Sequence, residues 1–207
     1  MRIIQLWLTL FSIFLLPFTG SAQEKNTCLS GHLPGYPLPK GVSAPFAGFI
    51  GDWLVVAGGC NFPDIPASEG GKKVYYSQGY ALDTHAASPQ WLPLPDLPYP
   101  VAYGASVETP QGLVCIGGMN ADSCLTQVYR LTWNEAEGFS VQQLPALPET
   151  IDNASATRAG NNIYVTGGNQ QYGQNNLYTL NPGNRFRLDQ AYSLSRSVPG
   201  TAGSCSR

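Results

Sequence analysis

The stretch DWLVVAGG at residues 52–59 returns as GLVCIGG at 112–118 and as NIYVTGG at 162–168. Each is a short apolar or β-branched run closed by two glycines, Gly58-Gly59, Gly117-Gly118 and Gly167-Gly168. A tyrosine-bearing run follows each one: GYAL at 79–82, VYRL at 128–131 and LYTL at 177–180. Leu-Pro linkers keep the same step. From Leu38-Pro39 to Leu97-Pro98 is 59 residues, as is Gly58 to Gly117, and from Leu97 to Leu147 is 50, as is Gly117 to Gly167. Two independent markers moving by equal offsets identify one supersecondary unit copied three times. The first copy is the longer by nine residues (59 against 50).

Alternation and turn signals divide each copy into four strands. The expected strands of the first are Phe46 to Ile50, Trp53 to Ala57, Lys73 to Leu82 and Gln90 to Leu94. Those of the second are Tyr103 to Val107, Leu113 to Ile116, Gln127 to Thr132 and Ser140 to Leu144. The third runs Asn153 to Thr157, Ile163 to Thr166, Asn176 to Leu180 and Arg185 to Tyr192. One four-stranded sheet per period of roughly 50 residues is the pattern of kelch repeats. The fold class is therefore all-β: a kelch-type β-propeller, incomplete, with about three four-stranded blades where a closed ring has roughly four to eight. The expected division is 1–22 signal peptide, 23–45 an N-terminal segment suited to the outer strand of an absent last blade, and blades at 46–99, 100–150 and 151–207. Tyr80, Tyr129 and Tyr178 read as packing residues wedged between blades, their hydroxyls finding backbone partners.

Charged residues make up 12% of the chain and the net charge is -2, so no basic stripe is available to neutralise phosphates and nucleic acid is not an expected partner. Arg2 precedes an apolar stretch from Ile3 to Phe18 and the small residues Gly20-Ser21-Ala22, the layout of a secretory signal cut after Ala22. The core is short of the ~20 residues of a membrane span and Pro17 interrupts it. The expected location is periplasmic or secreted, with no membrane attachment after cleavage. Cys28, Cys60, Cys115, Cys124 and Cys205 would then meet an oxidising compartment. A bridge between Cys115 and Cys124 across the second glycine pair and unpaired buried thiols are both open readings. His32 and His85 are the only histidines and have no ligand spacing, so no metal and no cofactor is expected.

In an antiparallel four-stranded blade, the loop between strands two and three emerges at the same end as the linker to the next blade. The glycine-pair loops and Leu-Pro linkers therefore share one rim. The extra residues of the first copy lie there, in CNFPDIPASEGGKK from Cys60 to Lys73. A long loop with charged residues at such a mouth is a candidate ligand-binding element; a solvated surface loop is the alternative. The candidate contacts are Asn61, Glu69 and Lys72 from this loop, with Asn120 and Asn169 taken from the other two. Lys72 suits a carboxylate, and Glu69 can order it or accept a sugar hydroxyl. Glu69 and Lys72 could equally form a salt bridge that shapes the loop, and Asn120 and Asn169 could cap turns.

The run PFAGFIGDWLVVAGGCNFPD at 45–64, continued by SEGGKKVYY at 68–76, resembles the signature blade of the kelch-type N-acetylneuraminate epimerases, or sialic acid mutarotases. Ala102-Tyr103-Gly104 and Val114-Cys115-Ile116-Gly117-Gly118 extend the likeness into the next blade, so that it covers roughly Leu38 to Leu180. An EGGKK blade coming first is similar to the cyclically permuted branch of that family. The resemblance implies a six-bladed propeller that interconverts the anomers of sialic acid by acid/base ring opening, without a cofactor. It also implies a catalytic glutamate directly after a strand-two glycine, followed by an arginine, in the blade preceding the EGGKK blade around the ring. No Gly-Glu dipeptide occurs in this chain, so no catalytic residue is carried over. The text after Leu180 lacks the tryptophan expected in a fourth strand and reads as a truncated, frameshifted or fragmentary ending. Two functions follow: a sugar isomerase represented by part of its ring, or a noncatalytic kelch module binding a glycan or protein on the same face. The oligomeric state is left open.

Overall fold

The computed structural model describes residues 33–170, 177–181 and 187–189. The first blade opens with β1 (Phe46–Ile50) and β2 (Trp53–Ala57), passes through a two-residue ladder of β3 (Cys60–Asn61) with β4 (Val74–Tyr75), and closes with β5 (Gly79–Asp83) and β6 (Trp91–Pro93). Its sheet order is β1-β2-β5-β6. The second blade is β7 (Ala105–Thr109), β8 (Gly112–Ile116), β9 (Val128–Asn134) and β10 (Gly138–Leu144), side by side in chain order. In the third, β11 (Ile151–Asp152) pairs with β14 (Asn169–Gln170) beside a sheet of β12 (Ser155–Ala159), β13 (Asn162–Thr166), β15 (Leu177–Leu180) and β16 (Arg187–Asp189). All pairings are antiparallel. The one helical element among the described residues is a 3-10 turn at Ala67–Glu69. The expected kelch-type all-β architecture of four-stranded blades is what the chain adopts.

The pattern of β8 shows how the blades stack. All five residues of GLVCI are buried. Alternation sends Leu113 and Cys115 into a core shared with Phe46, Val55, Ala57 and Ala81 of the first blade, and Val114 and Ile116 into a core shared with Ile163, Val165, Tyr178 and Leu180 of the third. The middle blade is thus apolar on both faces, as a sheet between two sheets must be. The inner strands lie next to one another in sequence, β1 beside β7 and β7 beside β12. Truncating a fully buried leucine such as Leu113 would cost about 2–5 kcal/mol.

Several strand boundaries differ from the sequence reading, and in three strands the backbone gives the reason. The expected strand Lys73 to Leu82 is broken at Tyr76–Gln78. The carbonyl of Tyr76 accepts from Val101 N–H, that of Ser77 from Leu97 N–H and that of Gln78 from Gly58 N–H, so this segment bonds linker and glycine turn instead of a sheet neighbour. The inner strands of the second and third blades begin at Ala105 and Ser155, two residues later than expected. Tyr103 (φ 62) and Asn153 (φ 54) are left-handed and cannot continue a ladder.

Tyr129 and Tyr178 pack between blades as expected, but their hydroxyls depart from expectation. Tyr129 and Tyr178 are buried in the two inter-blade cores. The Tyr178 hydroxyl bonds a side chain, Glu149 Oε2 at 3.1 Å. The Tyr129 hydroxyl is buried with no partner, and burial, reinforced by Tyr99, pushes its pKa up to about 12. Cys115 is a free thiol inside the first core, and burial pushes it above the usual thiol range. Cys124 is disulfide-bonded but not to Cys115. Cys115 stands opposite Ser106 and Tyr129, whereas Cys124 stands opposite Met119, so no hairpin bridge joins them.

The second glycine of each pair sits against the segment that leads into its own blade, and the first, at Gly58 and Gly117, against the linker to the next. Gly118 has φ 98, and a Cβ there would lie 2.6 Å from the Ala102 carbonyl oxygen. Gly51 has φ 57 but open space around it. Gly51→Ala should therefore cost about 1 kcal/mol, the strain of a left-handed alanine alone, while Gly118→Ala should cost about 3 kcal/mol or more because backbone must also move. Paired urea denaturation curves test this; equal losses would refute the steric account.

Candidate functional site at the glycine-pair mouth

Offsets of 59 and 50 residues relate Ala44, Tyr103 and Asn153, and all three have positive φ (50, 62 and 54). They are joined in series: Tyr103 N–H donates to the Ala44 carbonyl at 3.0 Å, and Asn153 N–H to the Tyr103 carbonyl at 2.7 Å. The residue before each one pairs with the residue after a glycine pair, as Ser43 with Cys60, Ala102 with Met119 and Asp152 with Asn169. The backbone thus forms a continuous hydrogen-bonded rim, and the side chains at these positions carry its chemistry.

The long loop of the first blade is closed at its base by the β3–β4 ladder, with Cys60 opposite Tyr75 and Asn61 opposite Val74. Within it Gly70 is left-handed (φ 81) and ends the 3-10 turn, and a Cβ on Gly71 would lie 1.7 Å from the Ile65 carbonyl oxygen. The Gly70-Gly71 pair is therefore a folding requirement of this loop. Strand alternation then places Lys73 and Tyr75 on one side of the chain and Lys72 and Val74 on the other.

Lys73 is half-buried, and its Nζ donates to the Tyr103 hydroxyl at 2.9 Å. The ammonium lies 5.0 Å from the Tyr103 ring centroid and 5.7 Å from that of Phe62. The bond to Tyr103 raises the Lys73 pKa above its ordinary value, against a smaller desolvation effect, so the group is a fixed cation at neutral pH. Cys60 Sγ approaches the same hydroxyl at 3.5 Å. Burial raises the pKa of Tyr75, which lies in the field of Lys73, Cys60, Tyr103 and Asp152. Asp152, the one buried charged residue among the described residues, accepts from Asn153 Nδ2 at 2.6 Å and from Asn169 Nδ2 at 3.0 Å.

The five expected contact residues fall in different settings. Asn61 donates both amide protons to the carbonyls of Pro39 (2.9 Å) and Gly41 (2.7 Å) and accepts from the Tyr76 hydroxyl (2.7 Å), so it anchors the loop. Asn120 accepts the backbone N–H of Asp122 and Ser123 at 2.9 Å, the turn-capping alternative. Asn169 is not the counterpart of Asn120: the 50-residue step aligns it with Met119 and Cys60, and Gln170 with Asn120. Glu69 and Lys72 are exposed, and among the described residues no ion pair joins them. Lys73 was read only as one of the loop's charges and not as a contact residue, and Tyr103 and Asp152 were not read as site residues. The signals for them were strand parity beyond β4 and the strict offset of the positive-φ positions.

These blades and this rim define a kelch-type propeller protein with a lysine-bearing mouth. The chain is similar to proteins named N-acetylneuraminate epimerase: 33% identical over 129 residues to that of Brucella melitensis biotype 1, 34% over 109 residues to that of Brucella suis, and 33% over 104 residues to that of Yersinia enterocolitica. These matches take in 59%, 50% and 45% of this chain. The resemblance read from the EGGKK segment is thereby borne out. The chain spans only 26% to 33% of the length of these relatives. A solved structure of YjhT shares the fold, at 19% identity and a TM-score of 0.55, covering 75% of this chain and 53% of that one. No family model matches the chain.

Tyr103→Phe should lower the Lys73 pKa toward the ordinary 10.5, read from lysine side-chain NMR titration. Because the folded value is raised, the stabilisation from this contact is complete below 10.5 and is lost as pH rises through the raised value. The wild-type advantage over the variant should thus persist at neutral pH and shrink only in strong alkali. An unchanged titration would refute the contact.

Proposed function

We propose that the mouth binds N-acetylneuraminate or a closely related sugar acid, and that the protein acts as a mutarotase on it. The observation that carries this reading is the Lys73 ammonium held at the rim by Tyr103, in the very loop whose sequence resembles the epimerases. A protonated amine inside a half-enclosed polar rim is suited to a carboxylate, and the charge-assisted bond is about twice as strong as a neutral one. Around it, the Tyr103 hydroxyl and the Asn169 amide supply donors and acceptors for the remaining sugar oxygens. Glu69 and Lys72, exposed on the same loop, are available to the outer part of the ligand.

Mutarotation removes the proton of the anomeric hydroxyl and delivers one to the ring oxygen as the ring C–O bond breaks; the carbonyl turns and the ring closes on its other face. In this reading Lys73 fixes the carboxylate and Tyr103, polarised by the ammonium it accepts from, presents a hydroxyl to the sugar. No residue of this chain is assigned as the base. The absence of a Gly-Glu dipeptide supports a second reading, in which the same mouth binds the sugar acid without turning it over. The leader-like segment at 1–22 supports export, with periplasmic or secreted function after cleavage following Ala22.

Titration calorimetry with N-acetylneuraminate should show Lys73→Met weakening binding by about tenfold or more, the loss of one charge-assisted contact, and Lys72→Met changing it by less than about twofold. Proton NMR of freshly dissolved sugar separates the two readings, since only a mutarotase speeds anomer exchange over buffer. Absence of binding by the wild-type protein would overturn both. Intact mass after expression with export should give Gln23 as the first residue if the leader is processed as proposed.

A further inference from the structure

At the end of the blades opposite the glycine pairs, a cleft of about 580 Å³ opens between the first and second blades. Its walls are the β1–β2 and β7–β8 hairpin tips and the ends of β5 and β9. Trp53 and Trp133, centroids 5.0 Å apart, line it, and Phe139 supports both from behind at 5.3 and 4.5 Å. Both indoles are only partly buried, so ring surface remains open to the cleft.

The charges around these rings are of one sign. Asp52, Asp83 and Glu135 line the cleft, and no lysine or arginine does. His85 is also in the lining, with Nδ1 3.4 Å from Asp52 Oδ1, and both side chains are exposed. The His85 backbone N–H donates to Asp83 Oδ1 at 2.9 Å, fixing that carboxylate at the rim. Indole faces attract cations through their quadrupole, carboxylates add long-range attraction, and the volume falls within the roughly 300–1,000 Å³ of small-molecule sites.

We propose that this cleft is a second binding site, specific for a small organic cation that stacks on Trp53 and Trp133 while Asp52, Asp83 and Glu135 hold its charge. The same carboxylates repel a sugar acid, so the site is distinct from the mouth and does not rest on the function proposed for it.

Choline and its uncharged isostere 3,3-dimethylbutanol test the idea, with intrinsic tryptophan fluorescence of the full chain as readout. Choline should give a saturable change, and the neutral isostere should bind at least about tenfold more weakly. The Asp52→Asn/Asp83→Asn double variant, altering two side chains outside the apolar cores, should keep the wild-type circular dichroism and lose about tenfold in choline affinity. Equal affinity for the two probes, no saturable change with choline, or undiminished affinity in the double variant would each overturn the proposal.

Discussion

The structure depends on a backbone hydrogen bond that crosses from one blade to the linker of the next. Gly59 N–H donates to the Val101 carbonyl at 2.7 Å and Gly118 N–H to the Ile151 carbonyl at 2.8 Å. The linker carbonyl comes so close that a Cβ on the preceding glycine, Gly58 or Gly117, would lie 2.5 Å from it, and both glycines of each pair have positive φ, so only glycine fits at either position. The same dipeptide also ends the second strand of its blade. Once the linker is held, Leu97 and Leu147 are buried beneath it and the faces of adjacent sheets close over the two apolar cores. Directional bonding at the rim thus sets the geometry, and apolar burial supplies most of the driving force.

The mouth inherits its chemistry from that arrangement. Tyr103 and Asn153 are non-glycine residues in a left-handed conformation, each costing about 1–2 kcal/mol, and hydrogen bonds to the neighbouring blades hold them there. Strain retained at matching positions around a polar opening is a reason to look for function there. Lys73 reaches Tyr103 across 30 residues of sequence, and the loop carrying it is one that only a Gly70-Gly71 pair permits. At the far end of the same two blades, an aromatic pair rimmed by carboxylates presents the opposite polarity.

Much of the fold was legible because repeats report themselves twice, as strand pattern and as constant offset. β1 and β2 begin and end where alternation placed them, since one face of each, Phe46 and Ile50 in β1 and Val55 and Ala57 in β2, is committed to the core. Alternation is blind where the backbone leaves the β region, and so Tyr103 and Asn153 were read as strand residues. The candidate site was less legible. Asn61 was chosen for its polarity and proves to be consumed by its own neighbours, and Asn169 was aligned one residue out of step. Lys72 and Lys73 differ only in parity, which composition does not carry. The contacts joining Cys60, Lys73 and Tyr103 cross between blades, and no local pattern announces them.

The ladder beneath the long loop has an evolutionary corollary. Cys60, Asn61, Val74 and Tyr75 seal the insertion at its neck, and Asn61 ties that neck to the main chain at Pro39 and Gly41. Between the sealed ends, Lys73 is tied to Tyr103 of the next blade, but the exposed residues 64–70 lie outside the sheet ladders and the cores and do not set the spacing of the sheets. Descendants could lengthen, shorten or recharge this cassette and so alter what the opening admits, leaving the scaffold that carries it undisturbed.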